Sequence, residues 1–381
     1  MTGETLTDER KDLAPLLRLL VNNQDLTYDQ AYSAMDAVMS GHIDHIQLAG
    51  FLTALATKTE TVTEIYGLAD AMRAHARKLN VPNDVLDIVG TGGDGAHTVN
   101  ISTMAAIVIA ASGIPVVKHG NRASTSQCGA ADMIESLGIR LDSSIEQVEK
   151  TFEALGLAFC FANMFHPSMR YAVPVRVGLG VPTVFNILGP LTNPAHARAN
   201  AIGVFSEQKA EMVAGVFAAR KADALVFRTV EPALDELSFF GENHIWETHD
   251  GVIDYHQIDL GRELNLFSAA HTLDIDILRG GDAAYNAAVT KAILTCDRES
   301  MKDMTKMRYR AIREAVLLNA ASGVLAYNRS EGMRHGEGTL VERFAHAFEK
   351  VTYTLDSGAA GKLLNDWIEH SQRTDDDTVA N

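Results

Sequence analysis

The chain has 381 residues, 46% of them hydrophobic and 22% charged, with a formal net charge of -16. That length suffices for one large domain plus a smaller one, while so acidic a surface repels nucleic acid and anionic membrane and leaves any phosphate site to a local basic pocket. Cys128, Cys160 and Cys296 are far apart and lack paired ligand spacing, which argues against a disulfide framework and a zinc site.

The opening MTGETLTDERKDL is acidic and polar, unlike a secretory signal, and no apolar run reaches membrane-spanning length. A cytoplasmic protein with no membrane or nucleic-acid partner is expected. Residues 13–80 read as helices only, and a helical domain is expected over 13–82. LTYDQAYSAMDAVMSG carries Thr27 and Gln30 at capping-box spacing and stops at Gly41. TVTEIYGLADAMRAHA repeats the box with Thr61 and Glu64, and each segment is amphipathic at helical spacing. The pattern changes at Val85. VLDIVG, IPVVKHG, LAFCFAN, ANAIGVF and ADALVF are strand-like runs that alternate with helical segments. Such alternation implies a largely parallel sheet covered by helices. HPSMRYAVPVRVGLG interrupts it with helix, which is expected to join the N-terminal helices over about 166–185. HIWETHDGVIDYHQI reads as a hairpin turning at Asp250-Gly251. The remainder is mainly helical. The α/β part is thus expected over 83–165 and 186–370, with a disordered tail from 371 to 381.

The segment DIVGTGGDGAHTVNIST, from Asp87 to Thr103, places four glycines between a strand and a helix. Glycines let a backbone approach a ligand and turn its N–H groups inward, and the following helix aims its positive end at the same spot. An anion is expected there. Gly90-x-Gly92-x-x-Gly95 fits the dinucleotide fingerprint, but that fingerprint wants an acidic residue after the next strand, and here Lys118-His119 follows. Asp94 in the loop makes sense beside a cation or a ribose hydroxyl. Magnesium commonly binds through one or two carboxylates plus substrate phosphates. The loop therefore looks built for a phosphorylated, metal-bound substrate. The plainer reading is a tight turn, since a lone GxGxxG is a weak signal. The second loop, KHGNRASTSQCGAAD, offers basic side chains, hydroxyls and two glycines. On its own it could equally be an exposed polar loop.

Taken in order, GTGGDG, NIST, KHGNR, CGAADMIESLG, HPSMRYAVPVR and FNILGPLTNPA resemble the anthranilate phosphoribosyltransferases of tryptophan biosynthesis. AGFLTALATKTET, GLADAMR, REAVLLNAA and LDSGAAGKL extend the likeness over nearly the whole chain. The resemblance implies a nucleoside phosphorylase-like phosphoribosyltransferase fold. Its class is α/β: a small N-terminal helical domain plus a larger α/β domain with a mostly parallel central sheet. It implies transfer of phosphoribose from phosphoribosyl pyrophosphate to the amine of anthranilate, with two magnesium ions per monomer and a homodimer.

By that likeness, Gly90, Gly93, Asp94, Thr98, Asn100, Ile101, Ser102 and Thr103 bind the donor. Lys118, His119, Gly120, Asn121, Arg122, Ala123, Ser124, Thr125 and Ser126 continue the donor site, with Ala130 beyond them. Ser102 touches one magnesium, and Asp235 and Glu236 hold the second. Asn121 and Arg176 hold anthranilate, with Gly90, and His119 and Pro190 line its route. Outside that ordered set, Arg176 would read as a surface arginine and Asp235-Glu236 as a helix-start pair. An Arg fork does suit a carboxylate. No residue stands out as an acid or base, so positioning and leaving-group stabilisation are expected to dominate.

Some positions depart from the family pattern. Cys128-Gly129-Ala130-Ala131-Asp132 stands where SGSAD is common, so Ala130 lacks a hydroxyl. Thr229-Val230 replaces His-Gly and Ala233 replaces Gly, which predicts a different loop over 228–233. FANMFHPSM lacks the usual Pro after FA. Rival readings are a pyrimidine nucleoside phosphorylase, disfavoured by GTGGD and the Asp-Glu pair, and a nicotinamide dehydrogenase, disfavoured by Lys118. A nucleic-acid-binding relative should carry a basic face, which this chain lacks.

Overall fold

The computed structural model describes residues 11–123, 127–267, 273–330 and 338–373. The expected donor residues Ser124, Thr125 and Ser126 and the tail 374–381 lie outside them. The chain divides into two units: residues up to Lys78 with Asn163–Pro194, and Leu79–Ala162 with the residues from Ala195 onward.

The first unit is helical. Its two sequence-visible capping boxes both form. Thr27 accepts the Gln30 amide, and Gln30 accepts the Thr27 amide, at the start of helix Tyr28–Met39. Thr61 and Glu64 do the same for helix Val62–Ala74. Glu64 is fully buried. Its carboxylate is tolerated there because it also accepts the Leu26 amide at 2.9 Å and pairs with Lys58 at 3.0 Å. Residues 163–165 join this unit, where the Arg77 amide donates to Phe165 O at 2.8 Å. The stretch HPSMRYAVPVRVGLG forms two short helical pieces, Pro167–Tyr171 and Val173–Leu179, with a proline in the first turn of each.

The second unit is built on a seven-stranded sheet. Its strands are β1 (Leu86–Gly90), β2 (Val116–Gly120), β3 (Leu157–Phe161), β4 (Ala199–Gly203), β5 (Asp223–Thr229), β6 (Glu242–His249) and β7 (Val252–Asp259). The order is β3-β2-β1-β4-β5-β6-β7. The strands from β3 to β5 are parallel, and β6 and β7 close the sheet as an antiparallel hairpin. That hairpin turns at Asp250 and Gly251, with φ of 47° and 84°, the left-handed pair that a tight hairpin turn needs. The apolar helix Ile101–Ala111 is buried along most of its length and packs against β1 and the long helix Lys306–Ser330.

The chain runs from β1 to one side of the sheet and returns through β4 on β1's other side. Ligands favour the crevice outside the carboxyl ends of strands at such a switch point. The last helix runs Ala359–Gln372. Ser371 and Gln372 are therefore helical rather than part of a disordered tail. The reason is packing: Ser371 is buried and accepts the Arg140 amide at 3.3 Å, and the Gln372 amide side chain donates to Gly138 O.

Candidate active site

Because β1, β2, β4 and β5 are parallel, the loops that follow them leave one edge of the sheet together. β1 delivers Thr91–Asn100, β2 delivers the loop from Asn121, and β5 delivers the turn that carries Asp235 and Glu236.

The join between β1 and β4 is made for that acidic pair. Gly90 pairs in register with Gly203. A Cβ on Gly90 would strike the Asp235 carboxylate, and one on Gly203 would strike the Asp235 backbone. The two glycines let Asp235 settle directly on the strand ends. Its Oδ2 accepts the Gly92 amide at 2.6 Å. Gly92 and Gly93 adopt φ of 68° and 88°, so glycine is required for the loop to turn as it does. Thr229, Val230 and Ala233, where the sequence departs from the family pattern, lie in the turn that leads to the pair. Thr229 and Leu234 exchange backbone hydrogen bonds at 3.2 Å, closing a tight loop. The Thr229 hydroxyl donates to Glu236 O at 2.8 Å. Asn319, wholly buried on the long helix, accepts the Leu237 amide at 3.0 Å and donates to Leu237 O at 2.9 Å.

The electrostatics are those of negative charge kept from water. Burial, then the nearby Asp94 carboxylate, pushes the Asp235 pKa up to about 8. Burial and Asp235 push Glu236 well above the ordinary carboxylate value, with Lys118 and the Ser102 backbone acting in the opposite direction. Lys118 lies beneath them, 3% exposed. Its Nζ donates to Ile88 O and, at 3.2 Å, to Ser102 Oγ. Burial depresses its pKa to about 8 against the opposing pull of Asp87, Glu236 and Asp235. A cation placed beside Asp94, Asp235 and Glu236 would relieve this concentration of charge. Among the described residues, no group of three or more His, Cys, Asp or Glu side chains is placed to hold a metal ion by itself. Magnesium does not need one: it keeps waters and takes one or two carboxylates together with substrate phosphates. The residues present fit an ion brought in by a polyphosphate.

The other expected donor residues of this unit fall around the same strand ends. Thr98 and Asn100 lead into helix Ile101–Ala111, whose first turn holds Ile101, Ser102 and the buried Thr103. His119, at the end of β2, is buried, and its amide donates to Asp87 Oδ1 at 3.0 Å. Gly120 follows, and Asn121 is exposed with its Oδ1 accepting the Arg122 amide at 2.8 Å. Arg122 is exposed, but its guanidinium is paired. It donates to Asp132 at 3.0 Å and to Glu135 at 2.8 Å, and lies over the Phe161 ring. Asp132 also accepts the Ala123 and Gly129 amides, both at 2.9 Å, which fixes the flanks of this loop. Ala130 opens helix Ala130–Ser136.

Arg176 and Pro190 belong to the helical unit. Arg176 lies on helix Val173–Leu179, half-buried over the Phe185 ring at 5.1 Å. Burial lowers its pKa from the ordinary arginine value, and no carboxylate offsets that among the described residues. Pro190 is buried in the short turn Gly189–Leu191. Sequence reading missed Gly203 and Asn319, which seat and brace the turn that carries Asp235 and Glu236. An asparagine inside the apolar run AVLLNAASGV was the available signal for Asn319.

A profile described as "Glycosyl transferase family, a/b domain" matches residues 82–361, and one described as "Glycosyl transferase family, helical bundle domain" matches residues 14–76. An anthranilate phosphoribosyltransferase of Arthrobacter sp. (strain FB24) is 46% identical over 353 residues, 93% of this chain and 94% of its own. The chain belongs to the anthranilate phosphoribosyltransferase family. Solved structures agree. The crystal structure of the Thermus thermophilus enzyme of that name is 37% identical with a TM-score of 0.80, over 94% of this chain and 99% of its own. The Saccharomyces cerevisiae enzyme, in complex with PRPP and Mg, is 27% identical with a TM-score of 0.79, over 94% of this chain and 97% of its own. Among the described residues, no helix is long and apolar enough to cross a membrane.

Proposed function

We propose that this chain transfers the phosphoribosyl group of phosphoribosyl pyrophosphate to the amine of anthranilate, giving N-(5-phosphoribosyl)anthranilate and pyrophosphate. The observation that carries the reading is Asp235 seated on the glycine pair of β1 and β4, hydrogen-bonded to the Gly92 amide beside Asp94, Glu236 and Lys118.

In this reading Gly90, Gly93, Asp94, Thr98 and the start of helix Ile101–Ala111 hold the donor. The N–H groups of that helix end and of the glycine loop favour phosphate oxygens. Lys118, His119, Gly120, Asn121, Arg122, Ala123, Ser124, Thr125, Ser126 and Ala130 extend the donor site. Two magnesium ions per monomer are proposed, one touching Ser102 and one held by Asp235 and Glu236. Magnesium, when bound, offsets the charge that collects on the leaving pyrophosphate. Arg176, with no carboxylate partner among the described residues, takes the carboxylate of anthranilate as a charge-assisted pair. Asn121, His119, Gly90 and Pro190 accompany it. An aromatic amine is a weak nucleophile, so cleavage at the anomeric carbon leads and the transition state is oxocarbenium-like. Chain groups that hold the acceptor near that carbon supply the remainder of the rate. No side chain is assigned as acid or base. A homodimer is proposed on the family likeness.

The test is to mix protein, anthranilate, magnesium and phosphoribosyl pyrophosphate and follow loss of anthranilate fluorescence. Loss that requires all four components supports the reading. No loss, together with phosphate-dependent cleavage of a nucleoside, would replace it with a phosphorylase.

A further inference from the structure

We infer that Asn286 is a positioning residue for the donor: it fixes the side-chain amide of Asn100 so that only N–H groups face the bound phosphoribosyl pyrophosphate. The inference rests on the reading of Asn100 as a donor contact.

Asn286 lies on helix Ala283–Leu294 and is 2% exposed. Its Oδ1 accepts the Gly281 amide at 2.8 Å. A backbone N–H can only donate, so the orientation of the Asn286 amide is set and its Nδ2 must point the other way. There it donates to Asn100 Oδ1 at 2.9 Å. The second amide is fixed in turn. Asn100 Nδ2 is left facing away from Asn286, with Cys128 O at 3.4 Å. Cys128 Sγ also approaches Asn100 Oδ1, at 3.6 Å.

Asn100 occupies the cap position of helix Ile101–Ala111, yet its side chain makes no capping bond. A cap would turn its oxygen toward the helix amides. Here the oxygen is held by Asn286 instead, which leaves the Asn100 NH2 as a donor, while the Ile101 amide donates to Val99 O at 2.7 Å and the Ser102 backbone meets Glu236. An NH2 held in that orientation suits an incoming phosphate or hydroxyl oxygen.

The segment before Asn286 is braced against the same loop. The Val99 amide donates to Leu278 O at 2.9 Å, and the Gly280 amide to His97 O at 2.7 Å. Thr98 and Arg279 form an isolated bridge. A Cβ on Gly280 would lie 2.8 Å from Asn286 Oδ1 and 2.9 Å from Thr98 O, so glycine permits the approach. The exit of the glycine loop and the amide of Asn286 are therefore parts of one hydrogen-bonded unit.

The test is a double-mutant cycle on Asn286→Leu and Asn100→Ala. Donor affinity is read by calorimetry with phosphoribosyl pyrophosphate and magnesium, and KM is measured for both substrates. Asn286→Leu is expected to weaken donor binding roughly three- to tenfold, the worth of one net hydrogen bond, with the anthranilate KM unchanged. In the Asn100→Ala background that loss is expected to vanish. Additive losses would overturn the inference while leaving Asn100 as a donor contact. An Asn100→Ala protein with undiminished donor affinity would remove both. If Asn286→Leu does not fold, Asn286→Ala takes its place in the cycle; failure of both to fold would mark the role as structural and overturn the proposal.

Discussion

The Gly92 amide donates to Asp235 Oδ2 across 2.6 Å, although the two residues are 143 positions apart in the chain. That bond joins the phosphate-loop candidate to the acidic pair, and it forms only because neither Gly90 nor Gly203 carries a side chain under Asp235.

The joint variant Asp235→Asn/Glu236→Gln is expected to fold, since it replaces two buried carboxyls whose charged form burial already disfavours with neutral groups of the same shape, and to lose most of its activity. Ion-borne stabilisation of transition-state charge is worth several kcal/mol, so the fall should be roughly a hundredfold or more. Steady-state rates across a magnesium titration check this. Full turnover of the parent protein in excess chelator would contradict it.

Acceptor and donor sites should fail differently. Arg176→Ala is expected to raise the KM for anthranilate about ten- to a hundredfold, the worth of a charge-assisted hydrogen bond, while donor affinity stays put. Gly93→Val should instead damage donor binding. Gly93 has φ of 88°, where a β-branched residue is strained, and a Cβ there would sit 3.3 Å from the Phe205 ring. Donor titration by calorimetry and kinetics on both variants decide the matter. Loss of donor affinity in Arg176→Ala with normal anthranilate saturation would reverse the assignment.

His166 supplies a pH dependence of stability. It is buried, and burial depresses its pKa from 6.5 to about 4. The unfolded chain therefore binds the proton first as pH falls. Stability contributed by the neutral ring is complete above 6.5 and is lost as pH drops toward 4. The full effect is about 3 kcal/mol. Urea unfolding from pH 7 to 4 should show a shallower decline for His166→Gln than for the parent. Equal slopes would refute this account of His166.

Assembly is open to a direct check. A homodimer built on the helical unit should sediment as a dimer at micromolar concentration, with a two-fold interface. A monomer there would count against it.

Much of this was legible in the sequence because its signals are local. Thr27 with Gln30 and Thr61 with Glu64 announce helix starts three residues ahead. Gly90 to Gly95 announce a backbone that must approach something. Asp235 and Glu236 became visible only through their place in an ordered set of motifs, since two adjacent acids carry no pattern. The contacts of Asn286 and Asn319 were not legible in the sequence. Asn319 reaches Leu237, 82 positions away, and Asn286 reaches Asn100, 186 positions away, and no local pattern announces either meeting. Arg122 shows the same limit: its pairing with Glu135 depends on how a helix packs under a loop.

The central claim is that one phosphoribosyl group moves to anthranilate for each pyrophosphate released. The most direct measurement follows both in the same sample, by anthranilate fluorescence and by enzyme-coupled pyrophosphate detection, with and without magnesium. Equal, magnesium-dependent amounts of anthranilate lost and pyrophosphate formed are expected. Pyrophosphate release that is indifferent to anthranilate, or no loss of anthranilate at all, would contradict the account.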